Sequence, residues 1–340
     1  MLTRAIAGGM VDCFLLCSLL PLQEAVTNKL SDLAGVIPPM ITPFAADDKI
    51  DFKGLADEAR YLQKVGCAGM VIGGSMGEGA GMSAEELGEA IRVTIEATDG
   101  TLRVFGGVIA DSSAEGVRLA KAIAGAGAAG LQVPPPHFYP TGDTTILAEY
   151  YGSLTSGSGL PLIIYNVMPT AQAAVESLEA IIDENPMIVA VKQSGRNIHT
   201  LAALLATIHH KVRLFSAIDD MIFPSFVLGV DGTISGTSAI FPAETVQMRN
   251  AVLAGDFERA LSFHNRLAPV WRAVDGTGYA QNAKYAVTLM GQRGVQRPRR
   301  PMTPPTGAEA QAIEQALRAG GFLNGDAASP VLAGVRADAR

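Results

Sequence analysis

Between residues 35 and 235 the chain alternates short, almost wholly apolar runs with longer stretches whose apolar positions recur at helical spacing. The runs cover residues 36–41, 69–72, 103–109, 130–133, 161–165, 188–192, 213–216 and 232–235, and most are rich in Val and Ile. Continuous apolar runs of this length suit strands of a parallel sheet covered on both faces, whereas a half-exposed strand would alternate. Leu55, Ala59, Leu62 and Val65 share one helical face ahead of Gly66, and Ser83 with Glu86 three residues later has the form of a capping box. Residues 114–126 and 178–183 continue the alternation, closed by Gly127 and Gly130 or by Pro186.

Eight strand-helix units predict an α/β fold of the closed (β/α)8 barrel type, a TIM barrel. An open doubly wound sheet is the other arrangement that the same count permits. After the eighth run the helical pattern persists over 245–254, 257–274, 282–290 and 308–319, the last beyond a proline-rich loop at 297–305. These segments read as the final barrel helix and a C-terminal helical extension, not a second domain. The expected organisation is a poorly ordered N-terminal extension over 1–34, the barrel with its C-terminal helices over 35–323, and a flexible tail over 324–340.

Composition narrows the function. The 340 residues carry 26 Lys and Arg against 33 Asp and Glu, a net charge of −7, which argues against a nucleic-acid partner because phosphate contact needs a basic face. The apolar stretch 10–20 is broken by Asp12 and followed by Pro21, and falls short of the ~18 residues that suggest a membrane span. Arg4 ahead of it gives a faint likeness to a signal peptide, but no small-x-small cleavage site follows at 22–24. Cys13, Cys17 and Cys67 form neither a disulfide framework nor a zinc pattern, so a reducing compartment, the cytoplasm, is expected.

Several site types are missing from the sequence. The glycines of 73–79 fit neither GxGxxG nor GxxxxGK[ST], the five histidines have no HExxH or HxH spacing, and no GxSxG elbow occurs. What remains is position, since reactive groups of such a barrel sit where strands end and the following loops begin. Lys192 closes the run 188–192, and Tyr165 closes the preceding run 27 residues earlier, so a parallel barrel places them side by side. A lysine desolvated there is neutral and nucleophilic enough to condense with a ketone, and a neighbouring phenol can carry its protons. Taken singly, Lys192 also reads as a strand-end lysine reaching solvent and Tyr165 as a packed core residue.

Six segments in register resemble the dihydrodipicolinate synthase and N-acetylneuraminate lyase family of Schiff-base pyruvate aldolases: residues 41–44 (ITPF), 74–78 (GSMGE), the Pro-Pro-aromatic turn ending at Tyr139, 165–167 (YNV), 192–195 (KQSG) and 229–235 (GVDGTIS). The resemblance implies a barrel with C-terminal helices assembled as a homotetramer, a dimer of dimers. It further implies that Lys192 forms an imine with pyruvate or another 2-keto acid, without metal or added cofactor. Tyr165 is then the general acid/base, and Tyr139 the relay tyrosine lent across the dimer interface, with Phe138 competing for that alignment. Ser75 and the backbone amides of Met76 and Gly77 would hold the keto-acid carboxylate, and Ile234 belongs to the substrate-binding set. Asp219 matches the lyase branch, where acidic residues bind sugar hydroxyls; Asp219 and Asp220 equally suit the start of the next helix.

Two departures bear on the second substrate. Met76 replaces a hydroxyl residue, and the run 168–172 (MPTAQ) brings no arginine, where the synthase branch has one for its aldehyde substrate's carboxylate. The expected function is therefore a Schiff-base-forming lyase acting on a small-molecule 2-keto acid, by aldol cleavage or condensation or by dehydration of a keto-deoxy sugar acid. Dihydrodipicolinate synthesis proper, a metal-dependent barrel aldolase and a non-catalytic keto-acid-binding barrel are the alternatives.

Overall fold

The computed structural model describes residues 30–138, 143–167, 171–291 and 293–323. The apolar stretch 10–20, Cys13, Cys17, Tyr139, residues 168–170 and the tail 324–340 lie outside the described residues.

The strands are β1 (Gly35–Val36), β2 (Gly69–Ile72), β3 (Arg103–Gly107), β4 (Gly130–Val133), β5 (Leu162–Asn166), β6 (Ile188–Gln193), β7 (Arg213–Ser216) and β8 (Gly232–Thr233). All pair in parallel in one eight-stranded sheet, in the order β1-β8-β7-β6-β5-β4-β3-β2. The seam between β1 and β2 is closed by the Pro39 to Val71 bridge and by bonds from Met40 N to Val71 O and from Val71 N to Pro38 O, both 2.9–3.0 Å long. The barrel is thus closed, and the open sheet is excluded. The predicted first strand shortens because Pro38 and Pro39 have no N–H to give to a ladder.

Helices α1 (Phe52–Lys64), α2 (Ala84–Ala97), α3 (Ser113–Gly125), α4 (Thr144–Ser158), α5 (Val175–Glu184), α6 (Ile198–Thr207) and α7 (Ile222–Leu228) follow strands 1 to 7 in turn. After β8 come α8 (Gly236–Ile240), α9 (Pro242–Leu253), α10 (Phe257–Val274), α11 (Tyr279–Met290) and α12 (Gly307–Ala319). The capping box at Ser83 forms in full, each partner bonding the other's backbone N–H at 3.1 Å. Leu55, Ala59 and Leu62 are buried on α1 as their spacing predicts.

The barrel interior holds Ile37, Val71, Phe105, Ile163, Ala190, Phe215 and Ile234, joined from below by Leu30 and Leu33. Leu30 and Leu33 thus pack with the barrel interior although they precede residue 35. At that end Asp231 accepts from Leu214 N at 2.8 Å, Arg213 at 2.9 Å and His209 at 2.9 Å, which ties β7 to β8. No helix among the described residues is long and apolar enough to cross a membrane.

Candidate active site

Parallel register sets the centre of the site. β5 and β6 align Tyr165 with Lys192, and β6 and β7 align Lys192 with Phe215. Both side chains open into a cavity of about 770 Å³ at the C-terminal ends of the strands, the end where barrel sites are built. Lys192 is only 4% exposed, and its Nζ stands 3.4 Å from the centroid of the Tyr165 ring. Among the described residues no carboxylate comes within 4 Å of that nitrogen.

Burial dominates the electrostatics. Desolvation pulls the Lys192 amine down from 10.5 to about 7, opposed by the negative charge of Asp219. Tyr165 is held protonated, its phenol raised first by burial and then by Tyr279 and Asp219, against the side chains of Ser75 and Ser194. At neutral pH a large share of the amine is therefore a free nucleophile beside a phenol that keeps its proton. The amine thus faces the ring of Tyr165.

The glycine-rich turn after β2 forms the facing wall. Gly73, at φ +71°, turns the chain into a single 3-10 turn, Ser75–Gly77, which ends at Glu78 in the left-handed region at φ +59°. Ser75 and Met76 line the cavity. Gly77 does not line it, and its N–H donates to Gly74 O at 3.0 Å. The turn itself thus engages the Gly77 N–H, while Ser75 and Met76 face the cavity. The strained turn is clamped from behind. The Glu78 carboxylate accepts from Lys284 Nζ and, at 3.0 Å, from Arg299 N, while the Lys284 ammonium also lies 4.4 Å from the centroid of the Phe44 ring.

Asp219 opens the short 3-10 turn after β7 and lines the cavity. Its carboxylate accepts from Thr237 N at 2.6 Å, so it holds the start of α8 instead of capping its own turn. Burial raises its pKa, opposed by that bond and by Lys192. Ile234 also lines the cavity. Tyr139 lies outside the described residues, whereas its neighbour Phe138 is 71% exposed and away from the cavity lining.

The structure adds groups that the sequence reading passed over. Arg196, Arg272, Trp271 and Tyr279 all reach the cavity. Arg196 pairs with Asp275 at 2.5 Å and Arg272 with Asp220 at 3.5 Å, giving the mouth two exposed ion pairs. No arginine stands at 168–172, but two reach the mouth from elsewhere, Arg196 from the loop after β6 and Arg272 from α10. Asn166 is structural: it accepts from Ala173 N at 2.9 Å and donates to Gln193 Oε1 at 2.9 Å, which fixes where the chain returns after residues 168–170. A second hollow, of about 660 Å³, lies at the opposite barrel end among Leu30, His209, Lys211 and Arg213, far from these groups. Among the described residues no three His, Cys, Asp or Glu side chains converge as metal ligands.

The profile of the dihydrodipicolinate synthetase family matches residues 32–320. The chain belongs to that family. It is 34% identical over 245 residues to the 4-hydroxy-tetrahydrodipicolinate synthase of Haloarcula marismortui, covering 72% of this chain and 79% of that one. Against the synthase of the same name from Methanocaldococcus jannaschii the identity is 30% over 261 residues, covering 76% and 89%. Among solved structures, a prophage protein of E. coli K12 assigned to the dihydrodipicolinic acid synthase family, in complex with pyruvate, superposes with a TM-score of 0.80 at 25% identity, covering 86% of this chain and 99% of that one. As a member of the dihydrodipicolinate synthetase family, the chain is a lyase of the lysine-dependent aldolase kind, acting on a 2-keto acid through a Schiff base.

Proposed function

We propose that Lys192 forms the imine with pyruvate or a pyruvate-like 2-keto acid and that Tyr165 is the general acid/base of the reaction. The observation that carries this reading is a nearly buried amine, lowered to about 7, on the ring of a phenol that keeps its proton. The neutral amine adds to C2 of the keto acid, and water leaves as the imine forms. The imine is an electron sink that lowers the cost of negative charge at C3 when the C3–C4 bond forms or breaks. No further cofactor enters this scheme.

Ser75 and Met76 face the keto-acid carboxylate, with Ser75 as the side-chain donor and Met76 an apolar wall that narrows the choice of anion. Ile234 packs against the bound keto acid. Beyond C3 the second substrate meets Asp219, Asp220 and the mouth arginines. A hydroxylated chain ending in an acid suits that set, because carboxylates accept from hydroxyls while an arginine released from its aspartate takes an anionic end. Condensation of pyruvate with an aldehyde that carries a carboxylate, as in dihydrodipicolinate synthesis, is the second reading; Arg196 and Arg272 at the mouth are what favour it.

The same proposal makes the protein a cytoplasmic homotetramer. Cys67 is a buried free thiol pushed up to about 12 by desolvation, which suits a reducing compartment and no redox role. Val227, Leu228, Leu253, Phe257 and Leu261 expose apolar surface on α7, α9 and α10, which favours self-association. The function is tested by offering purified protein 2-keto-3-deoxy sugar acids, 4-hydroxy-2-oxoglutarate and N-acetylneuraminate, and pyruvate with aspartate semialdehyde. Release or consumption of pyruvate with one of them is expected; no turnover across the set would favour the binding-protein alternative.

A further inference from the structure

A smaller cavity, of about 310 Å³, shares no residue with the catalytic one. It lies between the start of α1 and the loop after α11, where Pro43, Asp51, Asp57, Tyr61 and Gln296 line it. Gln296 is 5% exposed, and its Oε1 has no hydrogen-bond partner among the described residues. Turning the amide over does not satisfy it: Nε2 donates to Arg293 O at 2.7 Å, and the opposite orientation would set oxygen against oxygen. Interiors seldom leave a carbonyl oxygen bare, so this one marks a place for a donor. The charged donors of the wall are already taken. Arg293 gives Nε and Nη2 to Glu58 and Nη1 to Ala239 O and Ile240 O, and Lys53 Nζ gives to Asp57 at 2.9 Å. Asp51, Asp57 and Glu58 outnumber Lys53 and Arg293, so the lining carries an excess of negative charge.

We propose that this cavity is a binding site for a small primary ammonium ligand, an alkylammonium group that donates to Gln296 Oε1 and sets its charge against Asp51. Such a group supplies both things the lining lacks, a free N–H donor and a positive charge. A metal ion suits it less, because among the described residues no three His, Cys, Asp or Glu side chains converge. The place of the site gives it a consequence. Pro43 and Gln296 line it, and the residue that follows each of them touches Lys284. The Phe44 ring lies 4.4 Å from Lys284 Nζ, and Arg297 O accepts from the same nitrogen at 3.0 Å. Lys284 in turn bonds Glu78, at the end of the turn that carries Ser75. An occupant that bridges the two walls therefore steadies the clamp behind the catalytic turn. The site does not depend on the imine reading of Lys192.

The test uses the full chain without pyruvate, so that its outcome is separate from any chemistry at Lys192. Ethylammonium chloride is titrated against sodium chloride at equal ionic strength, with tetramethylammonium as a cation that has no N–H to donate. Ethylammonium is expected to raise the thermal midpoint saturably, by about 2–4 °C, and tetramethylammonium to leave it at the sodium value. Gln296→Met keeps the length of the side chain and removes the bare oxygen, so the shift should vanish. Asp51→Asn, which can still cap α1, should weaken ethylammonium binding about fivefold to tenfold, and it decides the matter if the Met variant does not fold. Amide hydrogen exchange reads the clamp: the Gly77 and Glu78 N–H groups, bonded to Gly74 O and Ser75 O at 3.0 and 3.2 Å, should exchange about threefold more slowly with ethylammonium bound. A midpoint no higher than in sodium, an equal shift with tetramethylammonium, or a shift that survives in Gln296→Met would overturn the site, as would unchanged affinity in Asp51→Asn. Binding with unchanged exchange at Gly77 and Glu78 would overturn its hold on the catalytic turn.

Discussion

Lys192 Nζ stands 3.4 Å from the centre of the Tyr165 ring, the two residues being register partners on adjacent parallel strands. The contact to the ring face favours the ammonium form, yet burial wins and brings the amine to about 7. The balance leaves the lysine poised between a charged form that rests on the ring and a neutral form that attacks.

Imine formation should therefore depend on pH with a known sign. Only the neutral amine attacks, so the observed rate constant for adduct formation with saturating pyruvate rises as pH increases through about 7 and levels above it. Stopped-flow or quenched trapping between pH 5 and 9 measures this limb. A rate still rising tenfold per unit at pH 9 would mean an ordinary lysine, with no help from burial.

The same burial costs stability. Burial lowers the Lys192 amine from its ordinary 10.5 to about 7 in the fold, so between those values the unfolded chain binds more protons and stability rises with pH. The penalty is complete below pH 7 and gone above 10.5. Lys192→Met should accordingly stabilise the fold by roughly 0.5–2 kcal/mol at neutral pH, with the largest gain at acid pH and none above pH 10.5. Chemical denaturation at three pH values checks the trend.

Behind the 3-10 turn, Lys284 and Glu78 form an ion pair with side chains 0% and 3% exposed. Removing one partner leaves an uncompensated charge in the interior, a loss of about 3–5 kcal/mol. Lys284→Met alone should lower the midpoint of denaturation sharply and also weaken keto-acid binding, because the turn carrying Ser75 loses its clamp. Lys284→Met with Glu78→Gln should recover much of the stability, since no charge is then stranded.

Gly236 begins α8 against the indole of Trp271, where a methyl group would meet ring atoms at 2.3 Å. Both residues line the cavity, and Trp271 is the only tryptophan of the chain. Gly236→Ala should displace the ring, shifting the intrinsic fluorescence maximum and raising KM for the second substrate more than for pyruvate. An unchanged spectrum would mean that the helix start moves instead of the indole.

Much of this was legible in the sequence because parallel strands buried on both faces appear as unbroken apolar runs, and because a barrel places their last residues together. Lys192 and Tyr165 could be paired on that ground alone. α4 was not read as a helix: Gly152 and Gly157 with Ser153, Thr155, Ser156 and Ser158 have poor helix propensity, and only the packing of Leu147, Tyr150, Tyr151 and Leu154 reveals why it forms. Its hydroxyls bond back to carbonyls three or four residues earlier, as Ser158 Oγ does to Leu154 O at 2.7 Å. Tyr279, Trp271 and Arg272 were hidden for another reason. They come from the C-terminal helical extension, which no strand-end rule points to, and reach the mouth only through its packing over the barrel. Gly77 shows the converse, a motif residue whose amide the turn has already engaged.

The most direct measurement is reduction with sodium borohydride in the presence of pyruvate, followed by peptide mass analysis. Lys284 is an internal control, being likewise buried and lowered, to about 8, but bonded to Glu78 and away from the cavity lining. The Lys192 imine predicts one reduced pyruvate adduct per chain, on that lysine, and none in Lys192→Met. An unmodified chain, or an adduct on any other lysine, would contradict it.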